Sequence, residues 1–161
     1  LLTHSSGVDW WAPLYKEAKS MPEYLARIVP MELKYEPGAK SVYTDLGVMM
    51  LGDILERVSG SDLDTLMRTR LLGPLKMRDT GYRPPESMKA RIAPTEIDND
   101  WRKRLVWGEV HDENAAGLGG VAPHAGLFGT APDLARFARM AVEAVDLAAD
   151  VMLGLALLVQ R

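Results

Sequence analysis

Leu46, Met49, Met50, Ile54 and Val58 recur at the three- and four-residue steps that bring side chains onto one face of a helix. Thr44 or Asp45 can cap the start of that helix, and Gly60 can end it. A second helix is predicted from Ser61-Asp62, with Leu63, Leu66, Met67 and Leu71 on its apolar face and Gly73-Pro74 as its stop. Upstream, Ser20-Met21-Pro22-Glu23 has the spacing of a capping box with proline in the first turn, which predicts a short helix ending near Val29, before Pro30. Pro37-Gly38 marks a turn between them. The last helix starts at Thr130-Ala131-Pro132-Asp133 and carries Leu134, Phe137, Ala138, Ala141, Val145, Ala148 and Met152 as its apolar stripe. Between residues 74 and 129, Pro84-Pro85 and Gly117, Gly119 and Gly120 break any long period. Only short extended pieces are expected there, near Arg91–Pro94 and Leu105–Val110. The pattern therefore predicts a mainly α, single-domain chain over 1–161, with long loops and little sheet.

Composition narrows the chemistry. The 161 residues carry 19 Lys and Arg against 22 Asp and Glu, a net charge of −3, so there is no basic excess to hold a phosphate backbone and no nucleic-acid partner is expected. With no cysteine, disulfides, thiolate catalysis and zinc fingers are excluded. His111-Asp112-Glu113-Asn114 gathers donor atoms, but consecutive ligands rarely converge on one ion and no His-x-x-x-His spacing exists, so neither a metal nor another cofactor is expected. A polar loop whose side chains bond backbone groups is the expected structure there. The apolar run from Val151 to Val159 falls well short of the roughly 20 residues a membrane span needs. It is read as a helix end covered by the protein itself or by a partner. No charged-then-apolar leader is visible at Leu1, which favours a cytoplasmic location.

Four phrases together resemble one family. Leu1-Leu2-Thr3-His4-Ser5-Ser6-Gly7 is similar to the L-L-T-H-T-S-G segment of the serine β-lactamase-related hydrolases: class C β-lactamases, penicillin-binding-protein-like carboxypeptidases and related esterases. Tyr43-Thr44-Asp45-Leu46-Gly47 with Leu51 to Gly60 resembles their Tyr-x-Asn block and the helix after it. Leu71 to Thr80 resembles the P-L-G-M-x-D-T turn, and Gly126 to Phe137 the G-G-L-x-S-T-A-x-D-L-A-R-F segment. The blocks occur in family order over residues 1 to 140, and 141–161 reads as an apolar C-terminal helix outside the match. The resemblance implies the helical central region of an α/β fold, a serine ester intermediate, and an ester or amide as the small-molecule substrate. It also implies what these residues lack. No Ser here has Lys three residues later, and no Lys-Thr-Gly or His-Thr-Gly occurs. In the family those motifs precede the first block and follow the last. The expectation is therefore a hydrolase impaired within this chain; the alternative is an inactive homologue that binds or self-associates.

By the same resemblance, Tyr43 is the candidate proton-shuttling residue. A phenol near pH 10 needs neighbouring positive charge to act as a base. Asp45 stands where the family more often has Asn, which exchanges an amide donor for a charged acceptor and suits the esterase branch better. Trp107, His111 and His124 are the candidate substrate-binding residues; in a full-length relative the loop of His111 lies near the active-site entrance, and His124 falls in the segment that leads into the last helix. His4, Ser5 and Ser6 lie too close in sequence for a triad, although a pairing of Ser6 with His111 or His124 stays open. Trp10-Trp11 is read either as a pocket wall or as cover over a small core. Finally, helices without a covering sheet, together with the 151–159 tail, predict a homodimer.

Overall fold

The computed structural model describes the backbone of residues 1–159 and the side chains of residues 1–146. Thr44 begins α2 (Asp45–Ser59): it sits in extended conformation, its hydroxyl accepts from the Gly47 amide at 3.0 Å, and Gly60 closes the helix with φ 67°. Asp62 caps the short α3 (Leu63–Met67) by accepting from the Thr65 amide at 2.9 Å. A π-helical turn, Arg68–Leu72, carries α3 into the Gly73-Pro74 stop. α1 (Met21–Ile28) forms where expected, but Ser20 does not cap it with its side chain. Glu23 instead accepts from the Lys19 amide at 2.7 Å, so the glutamate reaches back as in a capping box but to the amide one residue ahead of the cap.

The principal core gathers Val8, Leu14, Ala18, Tyr24, Ile28, Leu46 and Met49 between the N-terminal segment, α1 and α2. Burying side chains of this size is worth about 1.5–3 kcal/mol each against exposure. The face of α2 differs from the periodic one. Leu46 and Met49 are buried, but Ile54 and Val58 are exposed, because Gly52 rather than Ile54 makes the next inward contact, against Pro123. A Cβ on Gly52 would stand 2.5 Å from Pro123 Cγ.

The loop-rich stretch holds two small antiparallel sheets. β1 (Gly81–Tyr82) pairs with β4 (Leu127–Phe128), Gly81 opposite Phe128. β2 (Glu96–Asp98) pairs with β3 (Arg104–Val106), Glu96 opposite Val106. The extended pieces expected near Arg91–Pro94 and Leu105–Val110 are thus displaced. Asp98 accepts the amides of Asp100, Trp101 and Arg102 and so fixes the hairpin turn between β2 and β3. α4 (Glu113–Gly117) forms within the polar loop.

α5 (Ala131–Val159) starts at the predicted proline and acid. Asp133 is 3% exposed and accepts from the Asp79 amide and the Thr80 hydroxyl, both at 2.9 Å. The two late sequence blocks therefore meet: the acid of the helix start holds the Asp-Thr of the preceding turn. Beyond Asp133 the predicted stripe is uncovered, with Leu134, Phe137 and Val145 exposed. The tail at 151–159, expected to be covered, lies outside the residues whose side chains are described. No helix among the described residues is long and apolar enough to cross a membrane.

Candidate active site

Tyr43 stands exposed one residue before the buried Thr44, at the start of α2. Its backbone position is set from three directions. The Thr44 amide donates to His4 Nδ1 at 3.2 Å, the Thr44 hydroxyl donates to the Asp9 carbonyl at 2.6 Å, and the Asp45 amide donates to the Trp10 carbonyl at 2.9 Å. His4 is itself held in the left-handed region, at φ 52°, where non-glycine residues are uncommon. Its carbonyl accepts from the Val42 amide, and its ring lies 4.8 Å from the Tyr43 ring. His4 thus builds the turn that presents Tyr43. Ser5 bonds Thr3, and the Ser6 hydroxyl accepts from the Val8 amide.

Tyr43 is not prepared as a base. The Asp45 carboxylate beside it pushes its pKa above the ordinary tyrosine value, chiefly by favouring the protonated phenol; partial burial and the charges of Asp45 and Asp112 act in the same direction. At neutral pH the group is an O–H, able to donate a hydrogen bond or a proton. A neighbouring ammonium is the element that would reverse this.

The remaining candidates form two other groups. His111 is exposed and pairs with Glu96 at 3.0 Å. The Trp107 indole donates to the Ile92 carbonyl at 2.5 Å, with the Lys89 ammonium 5.4 Å from its ring. Both belong to the β2–β3 side of the loop. The His124 imidazole is 1% exposed, with Nε2 donating to Asp112 Oδ1 at 3.0 Å. Asp112 also caps α4, accepting from the Ala115 amide at 2.7 Å. His124 and the bond to the Ala115 amide hold the Asp112 carboxyl below the usual carboxylate range despite burial, which works the other way and is the larger single influence. Among the described residues, no hydrogen bond joins Ser6 to His111 or His124, and none joins Tyr43 to Trp107, His111 or His124. The link between the groups is electrostatic, through Asp112.

Two residues of the loop organise it. Asn114, 1% exposed, accepts from the Tyr15 amide at 3.0 Å and donates to the Ala12 carbonyl at 2.9 Å, while its own carbonyl accepts from the Tyr24 hydroxyl. Arg102 donates through Nη2 to the carbonyls of Val110, His111 and Asp112 and pairs with Asp98. Nothing in the local sequence separates these from surface polar residues; only the expectation that the loop's side chains bond backbone groups pointed towards them. A cleft of about 810 Å³ opens elsewhere, lined by Leu72, Met77, Tyr82, Met88, Arg91 and Phe128, and contains none of the predicted site residues. No group of three potential metal ligands occurs among the described residues.

A sequence model of the Beta-lactamase family matches residues 1–158. Relatives named "Putative D-alanyl-D-alanine carboxypeptidase" from Salmonella paratyphi B and Salmonella newport are 34% identical over 140 residues, covering 76% of this chain and 31% of the relative. The chain thus spans about a third of the length of these curated relatives. Among solved structures, a β-lactamase/D-alanine carboxypeptidase from Pseudomonas syringae superposes with a TM-score of 0.64 at 20% identity, over 84% of this chain and 35% of that one. A class C β-lactamase gives 0.65 at 22% identity, over 84% and 35%. The octameric penicillin-binding protein homologue from Pyrococcus abyssi gives 0.57 at 24% identity, over 89% and 34%. These likenesses establish the β-lactamase and penicillin-binding-protein fold, and with the family match over nearly the whole sequence, the chain belongs to the β-lactamase family.

Proposed function

We propose that this chain is the mainly α central region of a serine hydrolase, acting on carboxylic esters or peptidoglycan-like amides by acyl transfer through a serine ester to water. The observation that carries the reading is Tyr43: exposed, anchored through His4, Thr44 and Asp45, and in the family's Tyr-x-Asn block. In this reading Tyr43 donates its proton, to the leaving group or to the oxyanion, and returns to the protonated form because Asp45 favours it. Trp107 and His111 border the substrate on the far side of Asp112, and the buried His124 orients Asp112 from behind. The nucleophile and the late strand motif are the missing elements, since the 161 residues hold neither Ser-x-x-Lys nor Lys-Thr-Gly or His-Thr-Gly. The chain on its own is therefore impaired: with p-nitrophenyl acetate it is expected to give no turnover above background, and a fluorophosphonate probe is expected to leave no adduct. An adduct on Ser5 or Ser6 overturns the impairment. Placed between the Ser-x-x-Lys and the Lys/His-Thr-Gly segments of a full-length relative, the chain is expected to hydrolyse the ester, and Tyr43→Phe to lower kcat by about 100-fold. Equal kcat in the two fusions overturns the role of Tyr43.

The second reading, a self-associating homologue, rests on exposed apolar residues: Ile54, Leu55 and Val58 on α2, and Leu134, Phe137, Val142 and Val145 on α5. Apolar residues exposed in this number on two helices suit faces that another surface covers. Sedimentation equilibrium at micromolar concentration tests it, with a dimer expected and a 17.8 kDa monomer refuting it.

A further inference from the structure

The proposed chemistry leaves Trp10 and Trp11 unused. Trp10 is 60% exposed, an unusual state for the largest apolar side chain, and it belongs to neither buried cluster. The two indoles lie side by side, with ring centroids 6.0 Å apart and planes 31° from parallel. Their backbone is fixed rather than loose. The Trp10 carbonyl accepts from the Asp45 amide at 2.9 Å, and the preceding Asp9 carbonyl accepts from the Thr44 hydroxyl at 2.6 Å. The same two bonds hold the start of α2, so the tryptophan pair and Tyr43 are carried by one rigid junction. On the following side, Asn114 grips the chain at Ala12 and Tyr15.

Resting on the hydrolase reading above, we infer that Trp10 and Trp11 form a ring-stacking subsite beside Tyr43, which selects esters and amides whose acyl group ends in an aromatic ring. Large rigid aromatics that stay exposed at an anchored position give contact area at little entropic cost, and tilted ring pairs accept a third ring in offset or edge contact. The polar surroundings separate an aromatic ring from a sugar. A sugar needs free hydrogen-bonding groups around the stacking face, and the carboxylate adjacent in sequence is already engaged: Asp9 accepts from the Trp10 amide at 2.8 Å and pairs with Lys34 at 3.1 Å. What the pair offers is apolar ring surface.

The test is a titration of the 161-residue chain, ¹⁵N-labelled and followed by its indole N–H resonances, with phenylacetamide, acetamide and N-acetylglucosamine as probes. Phenylacetamide is expected to shift the Trp10 and Trp11 signals and to bind about tenfold more tightly than acetamide. Trp10→Ala and Trp11→Ala should abolish that preference, while Trp10→Phe should keep most of it. Truncating either indole leaves the backbone bonds to Asp45 and Thr44 in place, and unchanged far-ultraviolet circular dichroism confirms a folded variant. Three results overturn the inference: no shift at Trp10 or Trp11, a preference that survives both alanine variants, or tighter binding of N-acetylglucosamine than of phenylacetamide. Because the readout is binding, ring selection in a protein whose fusion hydrolyses no ester sinks the hydrolase reading and leaves the subsite standing.

Discussion

Asn114 offers the sharpest test of how the site is held. Its side chain satisfies two backbone groups, the Tyr15 amide and the Ala12 carbonyl, from a position 1% exposed. Replacing it with alanine removes both partners at once. An orphaned buried donor or acceptor costs about 1–3 kcal/mol, and partial entry of water recovers some of it, so Asn114→Ala is expected to cost about 2–4 kcal/mol. In a chain of this size that lowers Tm by about 5–15 °C. Asn114→Asp keeps the acceptor for the Tyr15 amide but turns the donor facing Ala12 into a second acceptor, so it should not rescue. The assay is urea unfolding followed by far-ultraviolet circular dichroism, with amide exchange read at Tyr15. A loss below about 0.5 kcal/mol, or unchanged exchange at Tyr15, refutes the reasoning, because the cost is assigned to two named groups and cannot be moved elsewhere.

Thr44→Val removes the acceptor for the Gly47 amide and the donor to the Asp9 carbonyl while keeping the shape; it should cost about 2 kcal/mol by urea midpoint, and Thr44→Ser should restore most of it. Burial pushes the phenols of Tyr24 and Tyr82 up to about 12, whereas an unfolded tyrosine ionises near pH 10. The folded state holds these protons more tightly, so their contribution is intact below about pH 10 and is lost as pH rises towards 12, at up to about 1.4 kcal/mol per pH unit for each ring. Unfolding free energies measured at pH 8, 10 and 11 should fall along that course, and a slope unchanged in Tyr24→Phe would remove Tyr24 from the explanation.

The helix boundaries were legible because they rest on local chemistry. Thr44, Gly60 and Asp62 need only their own neighbours to cap or stop a helix, and each does so. The buried face of α2 was not legible. Periodicity ranks Ile54 with Leu46, but the closest approach is made by Gly52, where the absence of a side chain lets Pro123 in. The site divides in the same way. Tyr43 and Asp45 stood out through a contiguous block, whereas the grips by Asn114 and Arg102 join residues far apart in sequence and leave no period or spacing behind. Asp133 was visible as an acid suited to a helix start, but its bonds to Asp79 and Thr80 depend on how the chain returns to that turn. The displaced strands have a related cause: Asp98 decides where the hairpin turns, and its three amide bonds are invisible to alternation.

The reach of α4 has a consequence for how the molecule comes together in time. Asn114 bonds partners that precede it by 90 to 102 positions. During synthesis at roughly 5–20 residues per second, the N-terminal segment therefore emerges some 5–20 s before the five-residue helix that fastens it. Through that interval the pairing of residues 12–15 with α4 is unavailable, and its loop-closure entropy is still to be met. The Trp10-Trp11 pair is then an exposed apolar surface on an unfastened strap. A protein assembled in this order has its vulnerable moment between the emergence of residues 12–15 and that of α4, and the closing of α4 onto them ends it.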